Sequence, residues 1–278
     1  MNAFQLALLS GLFHAAWNAL AKTPGRERAA TLAALIVSGV GAAVYWALTR
    51  PGRLEVVHAP WIAMAGVGEA LYVYSLGMAY GRGELGLTYS VSRAAALVFI
   101  WPFSLLAFGT RPSLLALAAT VVVALGIVGT RPRTAGSSKL HLGWTLLTGA
   151  AVALYHTGYK GAVDGGAPRV LAFLGAVSIS VPLLLAVVGR EVRAQLVPLA
   201  RHPRLLAAGV LCAASFLLML EALATAESGR ILGVRNASVG FGLAIAVWLG
   251  ERLDRRQWLG VAVLFAGVAL FGLEQARG

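Results

Sequence analysis

The spacing of apolar runs restricts this chain most. Ten follow one another from end to end, at approximately 3–21, 29–49, 60–80, 85–108, 112–130, 141–163, 168–189, 204–226, 229–250 and 255–273. An α-helix rises about 1.5 Å per residue, so about 20 apolar residues cross the hydrocarbon core of a bilayer. The breaks are short and carry charge, Gly or Pro, as in KTPGRER, GTRPS, RHPR and ERLDRR. Backbone in lipid must satisfy its own hydrogen bonds. The pattern therefore predicts an all-α integral membrane protein of ten transmembrane helices. Of the 278 residues, 59% are apolar and 12% charged, and mean hydropathy is +0.78. Soluble domains carry about a quarter charged residues, so composition agrees. The N-terminus has neither a basic n-region nor a cleavage site and reads as a retained first helix.

Other classes are disfavoured. The net charge of +12 would suit nucleic acid in a soluble protein, but the basic residues lie mostly between apolar runs. There they face anionic lipid and set topology, so no nucleic-acid partner is expected. The single cysteine, Cys212, excludes an internal disulfide and a multi-cysteine metal site. The chain has no GxxxxGK[ST] phosphate loop, no HExxH and no Cys/His cluster, and its five histidines are scattered. Neither enzymatic activity nor a cofactor or metal is expected.

The two halves of the chain resemble each other. LLSGLFHAAWNALAK (8–22) aligns with LLTGAAVALYHTGYK (146–160) at a shift of 138, pairing Ser10 with Thr148 and Asn18 with His156. A shift of 143 pairs Pro60 with Pro203 and Glu84 with Glu227, and a shift of 142 pairs Arg93 with Arg235. This predicts two repeats, 1–133 and 139–278. Each has five helices, an odd number, so the second enters from the opposite face. Such inverted repeats place a substrate site at mid-membrane between the halves, here around a central cavity. Loops on the side after the first helix hold 14 Lys/Arg and those on the other side seven. The positive-inside rule then puts both termini outside the cytoplasm.

Charge inside a span is costly and normally faces a cavity or a partner. Glu69, Arg93, Glu221 and Arg235 are the strongly charged residues read as lying well inside spans. In one reading an Arg holds a substrate carboxylate or phosphate with its planar fork, and a Glu takes a substrate amine or a coupling proton. In the other they are structural ion pairs. His14 and Asn18 share a helix face at i+4, and His156 repeats Asn18 in the second half. They line a cavity or bond between helices. Tyr72, Tyr89, Trp101, Tyr155 and Tyr159 are candidate aromatic walls for an organic substrate. Trp46, Trp61, Trp144 and Trp258, near span ends, read as an interfacial belt. Pro102 and Pro182 should kink the fourth and seventh helices.

The stretch FGLAIAVWLGERLDRRQWLGVAVLFAGVALF (241–271), with its turn Leu249-Gly250-Glu251-Arg252-Leu253, resembles the EamA family of the drug/metabolite transporter superfamily. A degraded copy, AFGTRPS (107–113), and the opening helix HAAWNALAK (14–22) extend the resemblance over essentially the whole chain. The Trp101-Pro102 pair resembles the aromatic amino-acid exporters of that superfamily. The resemblance implies a multi-pass inner-membrane secondary transporter, exporter or exchanger, that moves small polar metabolites such as amino acids by alternating access without ATP. It also implies cytoplasmic termini, opposite to the charge count. Expected partners are the substrate, the bilayer and coupling protons. Monomer and homodimer stay open, as do the alternatives of a lipid-linked substrate flippase and a membrane-embedded enzyme or scaffold.

Overall fold

The computed structural model describes residues 1–80, 85–131 and 141–275. The expected junction of the two halves falls within 132–140, outside the described residues, as do Glu84 and Arg82, Arg133, Lys139 and Arg277 of the loop charge count. The described residues form α1 (Ala3–Ala21), α2 (Glu27–Thr49), a 3-10 turn (Val56–His58), α3 (Ala59–Tyr80), α4 (Leu85–Phe108), α5 (Leu114–Gly129) and α6 (Leu142–Asp164). They continue with α7 (Arg169–Val187), α8 (Arg190–Ala200), α9 (Pro203–Leu223), α10 (Ser228–Arg235), α11 (Ala237–Trp248) and α12 (Arg255–Gln275). No strand occurs among them.

Local chemistry sets several helix ends. Asn2 caps α1 and forms a reciprocal capping box with Gln5. Ser113 caps α5 through the backbone N–H of Ala116. Pro203 opens α9, where its missing N–H has no role. Pro102 and Pro182 lie inside α4 and α7, as the sequence predicts, and both helices continue past them.

Every expected apolar segment is helical, with two departures from the ten-segment pattern. The ninth segment is broken at Asn236 into α10 and α11. The Asn236 amide donates to the carbonyl of Leu232 at 2.9 Å, the local side-chain bonding that competes with a regular helix. A further helix, α8, occupies the break before α9. It buries Leu196 and Leu199, exposes Arg190 and Arg193, and packs on α2. Its charged residues and Pro198 disguise it as a loop in the sequence.

Among the described residues, seven helical stretches are long and apolar enough to cross a membrane: Glu27–Thr49, Val56–Ala79, Thr88–Phe108, Arg169–Val187, Pro203–Leu223, Ser228–Trp248 and Arg255–Glu274. This is fewer than the ten expected. The polar residues of α1 (Gln5, His14, Asn18) and α6 (Thr145, Thr148, His156, Lys160) dilute their apolar character, and α5 has only 16 residues.

The helices pack as a bundle. α6 lies between α3 and α4, and α1 lies against α9, α10 and α11. α3 packs on α7 and α9 on α2. α5 and α12 form a seam of small residues: a Cβ on Gly126 would lie 2.3 Å from the backbone nitrogen of Leu264, and one on Gly260 would lie 2.4 Å from Gly129. Such close backbone approach is the usual way membrane helices associate.

Candidate functional site

Helices α1, α2, α3, α4, α6, α9 and α11 surround a cavity of about 590 Å³. Its mouth carries Lys22, Glu27, Arg28, Arg204 and Glu251, residues of the α1–α2 and α11–α12 connections and of the starts of α2 and α9. Deeper, its wall is formed by His14, Trp17, Glu69, Tyr72, Tyr89, Tyr155, Phe216 and Ser238.

Behind this wall the helices bring Arg93 and Arg235 together around His14. The two arginines are 4% and 2% exposed, and His14 is 2% exposed. Nη2 of Arg93 is 2.8 Å from Nε2 of His14, and Nη2 of Arg235 is 3.2 Å from Nδ1. The indole N–H of Trp17 also donates to Nδ1, at 3.2 Å. Guanidinium and indole only donate, and a neutral imidazole accepts at one nitrogen only. His14 is therefore met by more donors than it can accept.

Arg235 ends α10, immediately before the break at Asn236, and α1 reaches it because Gly11 is small. A Cβ on Gly11 would lie 3.0 Å from the Arg235 carbonyl oxygen. Nε of Arg235 donates to Ser10 Oγ at 3.0 Å and Nη2 to Ser215 Oγ at 3.3 Å. Nη1 donates to Tyr155 Oη at 3.4 Å and lies 3.5 Å from Nε2 of His156, and the Phe216 ring is 5.1 Å away. Every one of these partners is uncharged or faces it as a neutral ring. Among the described residues no carboxylate lies within ion-pair distance of Arg235. Burying a charge without a direct ion-pair partner costs several kcal/mol. Arg93 also donates to Tyr72 Oη at 3.4 Å and stacks 5.2 Å from the Tyr89 ring.

Glu69 reaches the same cavity from α3 but is held elsewhere. It accepts from Tyr159 Oη at 2.6 Å and Ser180 Oγ at 3.2 Å, and is 3% exposed.

The sequence-derived candidates thus separate. His14, Asn18, Glu69, Tyr72, Tyr89 and Tyr155 line the cavity, while Arg93, Arg235, His156 and Tyr159 stand directly behind it. Two lie apart. Glu221 is within a turn of the α9 C-terminus, exposed, and paired with Arg169 at 3.1 Å, so it is not an intramembrane charge in the cavity. Trp101 packs against Gly229 and donates to Thr120 Oγ1 at 2.9 Å, between α4, α5 and α10 rather than in the cavity wall. Ser10, Ser215 and Ser238 were not among the sequence candidates, because small hydroxyls are common in membrane helices. Only the pairing of Ser10 with Thr148 hinted at a role.

Residues 140–273 match the family model of the EamA-like transporter family. The second half of the chain is thus similar to this family. No curated protein matches it. One crystal structure, described only as that of a protein, is similar to this chain with a TM-score of 0.75 and 16% identity. The match covers 99% of this chain and 97% of that one, which establishes the fold. With seven apolar membrane-length stretches among the described residues, this protein is a multi-pass membrane protein.

The opposite end of the bundle is held by polar contacts. Arg230 on α10 pairs with Glu227 at 3.2 Å and with Glu274 of α12 at 3.3 Å, and Ser113 at the start of α5 donates to Glu274. Trp61 stacks on Phe108 with ring centroids 5.5 Å apart, and Nε2 of His58 lies 2.8 Å from the carbonyl oxygen of Gly165.

Proposed function

We propose that this protein is a secondary transporter of small polar organic metabolites such as amino acids, working by alternating access in the cell's inner membrane. The carrying observation is the cavity of about 590 Å³, which has charged residues at its mouth and buried arginines behind its inner wall. It is of a size that holds small organic ligands.

In this reading the ten apolar segments all span the membrane, with α10 and α11 together making the ninth. The polar faces of α1 and α6 are sheltered inside the bundle. Residues 1–133 and 139–278 are inverted repeats. The packing supports this, because contacts recur in exchanged pairs: α3 on α6 as α9 on α1, α4 on α6 as α10 and α11 on α1, and α3 on α7 as α9 on α2. The hydroxyl pair Ser10–Ser215 joins α1 to α9 as Thr148–Ser75, at 3.0 Å, joins α6 to α3.

The mouth lies on the side of the Lys/Arg-rich loops, which the positive-inside rule makes cytoplasmic. A cavity open to the cytoplasm and closed by the Arg230–Glu274 contacts on the far side suits an exporter or exchanger. Glu69 is the candidate proton-coupling group. The walls Tyr72, Tyr89 and Tyr155, with Asn18 nearer the mouth, contact the substrate, and His156 and Tyr159 position Arg235 and Glu69.

Purified protein in liposomes is expected to exchange at least one radiolabelled solute from a panel of amino acids, sugars and organic cations. The absence of flux for the whole panel, with and without a pH gradient, refutes the reading.

A further inference from the structure

We infer that the cavity takes an organic oxyanion, a carboxylate or phosphate, whose charge is met by Arg235 and Arg93 at the deep wall, with His14 holding that place when the substrate is absent. This rests on the transporter reading above and narrows it to a substrate class.

Three observations carry it. First, Arg235 is buried among Ser10, Ser215, Tyr155, His14 and His156 with no carboxylate in ion-pair range among the described residues. Glu69, the acid on the same cavity, is occupied by Tyr159 and Ser180. A buried charge is retained where a counter-charge visits it.

Second, donors outnumber acceptor positions at His14. Two guanidiniums and an indole N–H converge on the single imidazole of His14, which accepts at one nitrogen. A carboxylate or phosphate brings two or more acceptor oxygens and matches the planar guanidinium fork. His14 lines the cavity, so an anion arriving from the mouth meets this ring first and competes with it for both arginines.

Third, the wall holds an unsatisfied group. Ser238 lines the cavity, is 3% exposed, and its Oγ has no partner. A hydroxyl able to donate, kept idle beside the end of α10, suits an acceptor supplied from outside. The aromatic walls Tyr72, Tyr155 and Phe216 fit an apolar body attached to that anion.

The test uses the full chain in lipid nanodiscs and four matched probes: 3-phenylpropionate, phenyl phosphate, 3-phenylpropionamide and 2-phenylethylammonium, with binding measured by equilibrium dialysis. At least one anion should bind about tenfold or more tightly than the amide and the ammonium, the difference expected for charge-assisted hydrogen bonds. Which anion binds separates a carboxylate from a phosphate substrate. Arg235→Gln should abolish the preference. Ser238→Ala, whose hydroxyl holds nothing in the fold, should melt like the parent and bind the preferred anion about fivefold more weakly. If Arg235→Gln does not fold, Ser238→Ala decides. Amide or ammonium binding as tightly as the anions overturns the inference, and so does wild-type anion affinity in Ser238→Ala. If liposomes carry neutral or cationic solutes while no anion binds or moves, the oxyanion inference falls and the transporter reading stands. If nothing binds and nothing moves, both fall.

Discussion

Arg93 and Arg235, on α4 and at the end of α10, approach opposite ring nitrogens of His14, at 2.8 and 3.2 Å. Two residues 142 positions apart, which the sequence shift pairs, therefore meet at one point of the bundle.

The first prediction concerns stability against transport. Replacing a buried charge that has no direct ion-pair partner by an apolar group of similar volume removes its desolvation cost, which offsets the hydrogen bonds lost with it. Arg235→Met should therefore melt at or above the parent temperature while solute flux falls about tenfold or more. A parallel loss of folding and flux would mark Arg235 as a purely structural residue. Thermal unfolding in detergent, alongside liposome flux, separates the two.

Glu69 is held by the Tyr159 hydroxyl at 2.6 Å. Tyr159→Phe removes that donor from a buried carboxylate and should destabilise the protein by about 1–3 kcal/mol. Glu69→Gln keeps the shape and removes the titratable group. If Glu69 couples protons, this variant should still exchange solute at equal pH on both sides but lose its response to a pH gradient. An unchanged gradient response in liposomes removes Glu69 from that role.

The seam between α5 and α12 predicts a steric result. Gly126→Val would place side-chain atoms into the Leu264 backbone and should destabilise by about 2 kcal/mol or more. Gly41 of α2, whose added Cβ meets nothing within 4 Å, should accept Ala with no loss of melting temperature. Equal melting of both variants would contradict the packing described.

The far end predicts an opening. Arg230 ties α10 to α12 through Glu274, and Ser228 nearby is 2% exposed. In a Cys212→Ser background, Ser228→Cys should react slowly with a membrane-impermeant thiol reagent added from that side. Adding Arg230→Ala should speed the reaction severalfold by releasing the closed end. An unchanged rate would remove these ion pairs from the gate.

Much of the fold was legible in the sequence because apolar runs of helical length are set by bilayer thickness. What escaped it has physical causes. The break at Asn236 lies in a continuous apolar run, and only a side-chain bond to Leu232 reveals it. α8 is amphipathic and charged, so it reads as a connection. Within the site, rarity pointed to Arg93, Arg235 and Glu69, since ionised groups seldom occur inside spans. The same rule misplaced Glu221, because a run's apolar boundary overshoots the helix end at Leu223 and makes a terminal residue look central. That both arginines meet at His14 depends on α1 crossing the end of α10 at Gly11, a tertiary relation with no local signature.

The central claim, that solute passes through this cavity, is tested most directly by blocking it. Gly242 lines the cavity, and a Cβ added there meets nothing within 4 Å. A bulky side chain at that position should enter the cavity and leave the packing intact. In proteoliposome counterflow, the parent should accumulate labelled solute above empty liposomes, and Gly242→Trp, melting as the parent does, should reduce accumulation to the empty-liposome level. Parent-level counterflow through a folded Gly242→Trp protein would contradict the account.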